Sequence, residues 1–177
     1  ISPIERGFAA FFLNRTNRSG ILKGGVIGGL QQLGNYKLDC RFNKETLIKR
    51  IQKIGSLSNK IHVYNRDTGK WLLEIDNLIP SNSLIYLDPP YYEKGQGLYR
   101  NFYNHQDHKS IKERLVKVKT PWVVSYDNNQ NIRDIYQQYR QEEYILNYSA
   151  SQKMKATEVI IYSDSIKLPH RTLAISD

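Results

Sequence analysis

Ser83-Leu84-Ile85-Tyr86-Leu87-Asp88-Pro89-Pro90-Tyr91 decides the reading of this chain. A mostly apolar, strand-favouring run ends on a carboxylate, and two prolines follow that admit neither helix nor ladder pairing. The pattern predicts a buried strand ending in a rigid, extended turn. In such a turn the Pro89 carbonyl has no ladder partner. That carbonyl and the Asp88 carboxylate then make a pair of acceptors for one planar amino group, while the Tyr91 ring offers a stacking face. Pro90 fixes the turn. A planar guest carrying an amino group is an extruded nucleobase. The plainer reading is a strand-terminating turn with a packing tyrosine.

Outward from this turn, strand and helix alternate. Downstream, the periodicity predicts a helix over Asp107 to Val118, a buried strand over Trp122 to Tyr126 and a helix over Asn131 to Tyr139. A terminal antiparallel pair follows, Tyr144 to Tyr148 with Glu158 to Tyr162. Upstream, Ile61 to Tyr64 reads as a strand and Trp71 to Ile75 as a short helix. Glu45 to Ser56 reads as a helix with Leu47, Ile48, Ile51 and Ile54 on its apolar stripe and Lys49, Arg50 and Lys53 facing outward. Pro3 to Leu13 reads as a helix capped by Ser2, its Ile4, Phe8, Phe11 and Phe12 stripe directed at a core. Asn14 to Tyr36 is a basic, turn-rich loop. Its Gly24-Gly25-Val26-Ile27-Gly28-Gly29 run lacks the spacing and the leading strand of a dinucleotide fingerprint. The result is an α/β sheet with a hairpin edge, preceded by a small helical and loop region. The seam lies at residues 55 to 60, giving regions 1–58 and 59–177.

The chain of 177 residues is long enough for a core of its own. No apolar run near the length of a membrane span occurs, and no charged-then-apolar leader opens it. A single cysteine, Cys40, excludes an internal disulfide, suits a reducing cytoplasm and reads as a small semi-buried side chain. The net charge of +9 is unevenly spread: residues 1 to 60 carry 11 Lys and Arg against 3 Asp and Glu, and the remainder 15 against 14. A basic region beside a near-neutral one suits a phosphate grip beside a reaction pocket. Arg15, Asn17, Arg18 and Lys23 combine forked donors for guanine or phosphate with an amide able to read adenine, against a solvated basic loop as the plain reading.

Through these residues the chain resembles the amino-methyltransferases of DNA, whose fourth motif is Asp-Pro-Pro-Tyr, and among them the Dam-like adenine methylases. Asn14-Arg15-Thr16-Asn17-Arg18-Ser19-Gly20 looks like the Asn-Arg-Thr segment of that class's target-recognition region, and Cys40-Arg41-Phe42-Asn43-Lys44 like the element after it. The likeness spans residues 5 to 163. It implies a class I, Rossmann-like sheet of strand order 3-2-1-4-5-7-6, S-adenosylmethionine as methyl donor and double-stranded DNA as substrate. A cytoplasmic, bacterial-type enzyme acting on nucleoid DNA is implied too. Asp88, Pro89, Pro90 and Tyr91 take the catalytic positions. Asp88 and Asp67 take positions at the cofactor end of the pocket, Asp67 being equally readable as a helix cap before Trp71.

The sequence departs from the family pattern in one respect. The glycine-rich turn after a first strand and the acid after a second are both missing from the chain. Under the implied order, Ile61 to Tyr64 and Ser83 to Leu87 would be the third and fourth strands, with two absent strands between them. Exposed backbone along those edges is costly, so a companion segment or chain is expected to complete the sheet. Two readings compete with the enzyme: a non-catalytic DNA-binding module, and methylation of another planar amide, as in glutamine methyltransferases with Asn-Pro-Pro-Tyr. Asp in place of Asn, and the basic loop, speak against the latter. His105-Gln106-Asp107-His108 reads as a loop with Asp107 as helix cap, not as a metal site. Tyr92, Tyr99 and Tyr103 flank the catalytic turn on a candidate lid, and Ser149 to Lys155 is a polar turn able to close over the pocket.

Overall fold

The computed structural model describes residues 1–21, 24–93, 102–148 and 154–167. Lys23, Tyr99 and the turn at 149–153 therefore lie outside the described residues. The chain divides into two compact units, Ile1–Tyr64 and Asn65–Asp177, a few residues beyond the seam read from composition.

The first unit begins with α1, Pro3–Thr16, whose N-terminus carries a full capping box. The Ser2 hydroxyl accepts the Glu5 N–H at 3.2 Å, and the Glu5 carboxylate accepts the Ser2 N–H at 2.7 Å. Its aromatic stripe is only partly a core. Phe11 and Phe12 pack on Phe42 with ring centroids 6.1 and 5.5 Å apart, whereas Ile4 and Phe8 are exposed. The second helix, α2, Lys44–Gly55, is capped by Asn43, whose side chain accepts the Thr46 N–H. Of its apolar stripe only Leu47 is buried; Ile48, Ile51 and Ile54 are exposed, contrary to the periodicity reading. A unit of this size has too little interior to cover every stripe its helices present. Cys40 is also exposed, not semi-buried.

The second unit holds a four-stranded mixed sheet of order β1-β2-β4-β3. Strand β1 is Ile85–Leu87, β2 Trp122–Asp127, β3 Arg140–Tyr148 and β4 Met154–Tyr162. β1 and β2 are parallel; β2 with β4, and β4 with β3, are antiparallel. Three short helices accompany them: α3, Thr68–Trp71, α4, His105–Leu115, and α5, Gln130–Ile135. Helix α4 starts at a capping box made by Asn104 and Asp107, so Asp107 is the third helical residue that completes the box and not the cap itself. The expected strand at Ile61 to Tyr64 is not formed. Those residues join no ladder, and Ile61, Val63 and Tyr64 are exposed. A β-branched run becomes a strand only against a partner, and none is present among the described residues.

The core lies around β2. Trp122, Val124 and Tyr126 alternate onto one face and pack, fully buried or nearly so, with Leu115, Ile111, Ile132 and Tyr136. The period of two sends Ser125 and Asp127 to the opposite face, where both are also buried. The entry to β2 is fixed by Asp76, whose carboxylate accepts the Lys119 N–H at 2.8 Å, the Thr120 N–H at 3.0 Å and the Thr120 hydroxyl at 2.8 Å. β1 pairs on one side only among the described residues.

Candidate active site

β1 delivers the turn. Leu87 is buried, while Asp88 emerges exposed and Pro89 and Pro90 are half-buried. The carboxylate therefore is not sealed in the core. Asp88, Pro89 and Pro90 border a mostly apolar cleft of about 270 Å³, walled by Trp71, Leu72, Ile75 and Ile111 and edged by Thr68 and Tyr103. Among the described residues no hydrogen bond reaches the Pro89 carbonyl. Ser125 Oγ donates to Asp88 Oδ1 at 3.4 Å, and lies 2.7 Å from the Tyr86 hydroxyl. The exposed face of β1, the hidden face of β2 and the turn are thus joined.

Beyond the prolines the backbone is clamped. Asp127, at the end of β2, accepts the Tyr92 N–H on one oxygen at 2.8 Å and the Glu93 N–H on the other at 3.0 Å. Tyr91 does not line the cleft. Its hydroxyl donates to Glu158 Oε1 on β4 at 2.5 Å, and the Tyr144 hydroxyl donates to the other oxygen of the same carboxylate. Glu158 is the cross-strand partner of Asp127.

Behind the turn lies an aromatic cluster centred on His108. The ring is fully buried, with Tyr92, Tyr103 and Tyr126 at centroid distances of 5.2, 5.5 and 5.3 Å. One ring nitrogen, Nδ1, is 3.1 Å from the Tyr126 hydroxyl, and Nε2 has no partner among the described residues. Burial holds the His108 pKa below its ordinary value, against the pull of Asp127 and Asp107. Burial also raises the Tyr103 pKa, helped by Asp67 and Asp107, so that phenol stays a donor. His105 Nδ1 is 3.0 Å from the Tyr92 hydroxyl. Both histidines therefore pair with tyrosines, and no group of three potential metal ligands occurs among the described residues.

Asp67 caps α3, its side chain accepting the Lys70 N–H at 2.8 Å. It also borders a second, polar recess of about 230 Å³ with Lys70, Asp107, Ser110 and Arg114. Of its two readings the structure forms the helix cap, and Asp67 does not line the cleft that Asp88 borders.

In the first unit, the loop after α1 is locked. Asn17 is buried and pairs with Val26 in an isolated antiparallel bridge; its side-chain amide donates to the Ile21 carbonyl. The chain turns through Ser19 and Gly20 at positive φ. Gly20 sits at φ 73°, a conformation that favours glycine. Arg15 Nε donates to the Arg41 carbonyl at 2.8 Å. This bond ties the Asn-Arg-Thr segment to the Cys40–Lys44 element through side chain and backbone. Arg18 is exposed, its backbone held by the Gly25 carbonyl.

The family model of D12 class N6 adenine-specific DNA methyltransferases matches residues 1–154. This chain belongs to that family. A search of curated proteins returned no match. The reaction of D12 class methyltransferases is methylation of adenine in DNA. Sequence reading missed three residues that hold the turn and the segment after it: Ser125, Asp127 and Glu158. Each left a signal. Ser125 and Asp127 interrupt or end a buried apolar run on the same period-two face, and Glu158 opens the apolar run Val159 to Tyr162 as an unexplained charge.

Proposed function

We propose that the protein transfers a methyl group from S-adenosylmethionine to the exocyclic amine of an adenine flipped out of duplex DNA. The observation that carries this reading is the turn itself: a solvent-reaching carboxylate beside a carbonyl with no hydrogen bond among the described residues, on a backbone fixed by two prolines and by Asp127. Asp88 and the Pro89 carbonyl accept hydrogen bonds from the two N–H groups of the amine. This keeps the nitrogen lone pair directed at the methyl group and stabilises the positive charge that develops there. Pro90 holds the geometry, and Tyr91 offers the ring on which the base stacks, which by general experience contributes about 1–3 kcal/mol per base.

Supplied with its donor, the site gains an electrophilic methyl on a sulfonium. The residues of this chain fit one end of that molecule: an apolar cleft with the Asp88 carboxylate at its border suits a cationic, methyl-bearing group, and Asp67 stands at the neighbouring recess. The glycine-rich turn that would hold the rest is not in the sequence. The strand order β1-β2-β4-β3 coincides with the run 4-5-7-6 of the methyltransferase order, which leaves β1 at an edge. This supports a companion segment pairing with β1 to complete sheet and cofactor site. Residues 1–58 then serve as the DNA-recognition region, Arg15, Arg18 and Lys23 through their charge and Asn17 through the loop it locks, and 59–177 as the catalytic half, in a cytoplasmic enzyme.

The test is Asp88→Ala in the full-length protein, assayed with tritiated S-adenosylmethionine on unmethylated plasmid DNA. Methyl transfer is expected to vanish while DNA affinity stays within a factor of about two; unchanged turnover removes Asp88 from the reaction. The single-sided pairing of β1 favours a second reading, a DNA-binding module without its own cofactor site. Calorimetric titration of S-adenosylmethionine into this chain separates the two, since heat of binding excludes the module.

A further inference from the structure

Glu158 and Asp127 face each other as Cα partners across β2 and β4, and both are buried. Like charges placed directly opposite on neighbouring strands destabilise a sheet, and burial adds to the cost. Hydrogen bonds to both carboxylates offset it. Asp127 takes the Tyr92 and Glu93 backbone N–H groups; Glu158 takes the Tyr91 and Tyr144 hydroxyls. Three of those four donors belong to the segment that leaves the catalytic turn. A paired strand end needs no such device for its own stability, since two apolar residues would serve the sheet better.

We infer that Glu158 is a positioning residue for methyl transfer: by accepting the Tyr91 hydroxyl it fixes the ring against which the flipped base stacks, while Asp127 fixes the backbone on which that ring is carried. Tyr91 is then held at both ends. Its Cα is followed directly by two clamped amides, and its hydroxyl is anchored on β4. A ring already ordered gives its full stacking contact to a base without first losing rotamer freedom. A free tyrosine would have to be ordered at each turnover. Tyr144, from β3, supplies the second donor that keeps the Glu158 carboxylate aimed at Tyr91.

This inference rests on the proposed reaction, and its test is arranged so that the two fail separately. Steady-state kcat and KM for DNA are measured in the full-length protein for Tyr91→Phe, Glu158→Gln and the double variant, with Asp88→Ala alongside. Tyr91→Phe removes one oxygen from a half-buried ring, so folding is preserved even where Glu158→Gln perturbs it; thermal melts check both.

Tyr91→Phe is expected to lower kcat roughly tenfold with KM for DNA little changed, as befits one hydrogen bond to a charged group. Glu158→Gln is expected to do the same, and the double variant no more than either alone, because both remove one interaction. Wild-type kcat in Tyr91→Phe, or fold-losses that multiply in the double variant, overturns the role of Glu158. If those results accompany an inactive Asp88→Ala, the reaction stands and only the positioning role falls. If Asp88→Ala retains full turnover, the reaction itself falls.

Discussion

Ser125 on β2 donates its hydroxyl to Asp88 Oδ1 at 3.4 Å, binding the carboxylate of the turn to the neighbouring parallel strand. The contact is at the long end of hydrogen-bond distances, so it orients Asp88 and does not neutralise it. Its worth to the reaction is that of a restraint on one carboxylate rotamer. Ser125→Ala is therefore expected to lower kcat by roughly threefold to tenfold, from a loss of about 0.5–1.5 kcal/mol, while far-UV dichroism is unchanged. Single-turnover methyl transfer measures it. A rate equal to wild type would mean that the prolines alone aim the carboxylate.

Arg18 gives an electrostatic prediction. It is exposed on the loop after α1, its backbone pinned to Gly25 and its side chain on the surface of the basic unit. A guanidinium that neutralises one phosphate releases about one counterion. Arg18→Ala should weaken duplex binding and reduce the slope of log affinity against log salt by about 0.9, uniformly across sequences. Fluorescence anisotropy at several salt concentrations reads both quantities. A loss of affinity confined to one DNA sequence would instead assign Arg18 to a base edge.

Asp76 gives a stability prediction with a definite pH sign. The Lys119 N–H is the main cause holding its pKa below 3.8, against some desolvation, with the Thr120 N–H and hydroxyl and the Lys119 charge adding to it. A depressed folded value means that the stabilisation is complete above 3.8 and is lost as pH falls below it, through the folded value. The carboxylate is solvent-accessible, so Asp76→Ala should cost only about 1 kcal/mol at neutral pH, or roughly 4 °C of Tm. The deficit should shrink toward zero in acid. Calorimetric melts across that range check it, and a deficit that persists below the folded pKa would assign the loss to packing.

How far the sequence reading reached follows from where each signal resides. The turn, β2 and the end of β4 were legible because buried strands leave apolar runs and prolines leave no alternatives, whereas β3, with none of its described residues buried, was legible from its aromatic and β-branched residues. Ile61 to Tyr64 carried the same local signal but has no ladder among the described residues. Propensity describes a willingness to pair, and the partner is not encoded locally. The stripe of α2 shows the same limit, because Ile51 and Ile54 have helical period yet nothing in their unit covers them. Tyr91 was legible as an aromatic at the turn. Its anchor was not, since Glu158 lies 67 residues away in sequence and only the β2–β4 register brings it near.

His108 tests the packing behind the turn. Its ring is fully buried among Tyr92, Tyr103 and Tyr126, and desolvation is the first cause holding its pKa below 6.5; the charges of Asp127 and Asp107 oppose that shift and His105 reinforces it. The unfolded chain takes up a proton near 6.5 that the folded chain takes up only at lower pH. Stability linked to this group is thus unaffected well above 6.5 and falls as pH drops from 6.5 toward the folded value. In His108→Gln, which stays neutral and retains polar atoms for the Tyr126 hydroxyl, that part of the acid loss should disappear. Urea midpoints at about pH 7 and about pH 5.5 are expected to fall further for wild type than for the variant. Equal falls would show that the ring accepts its proton without leaving the cluster.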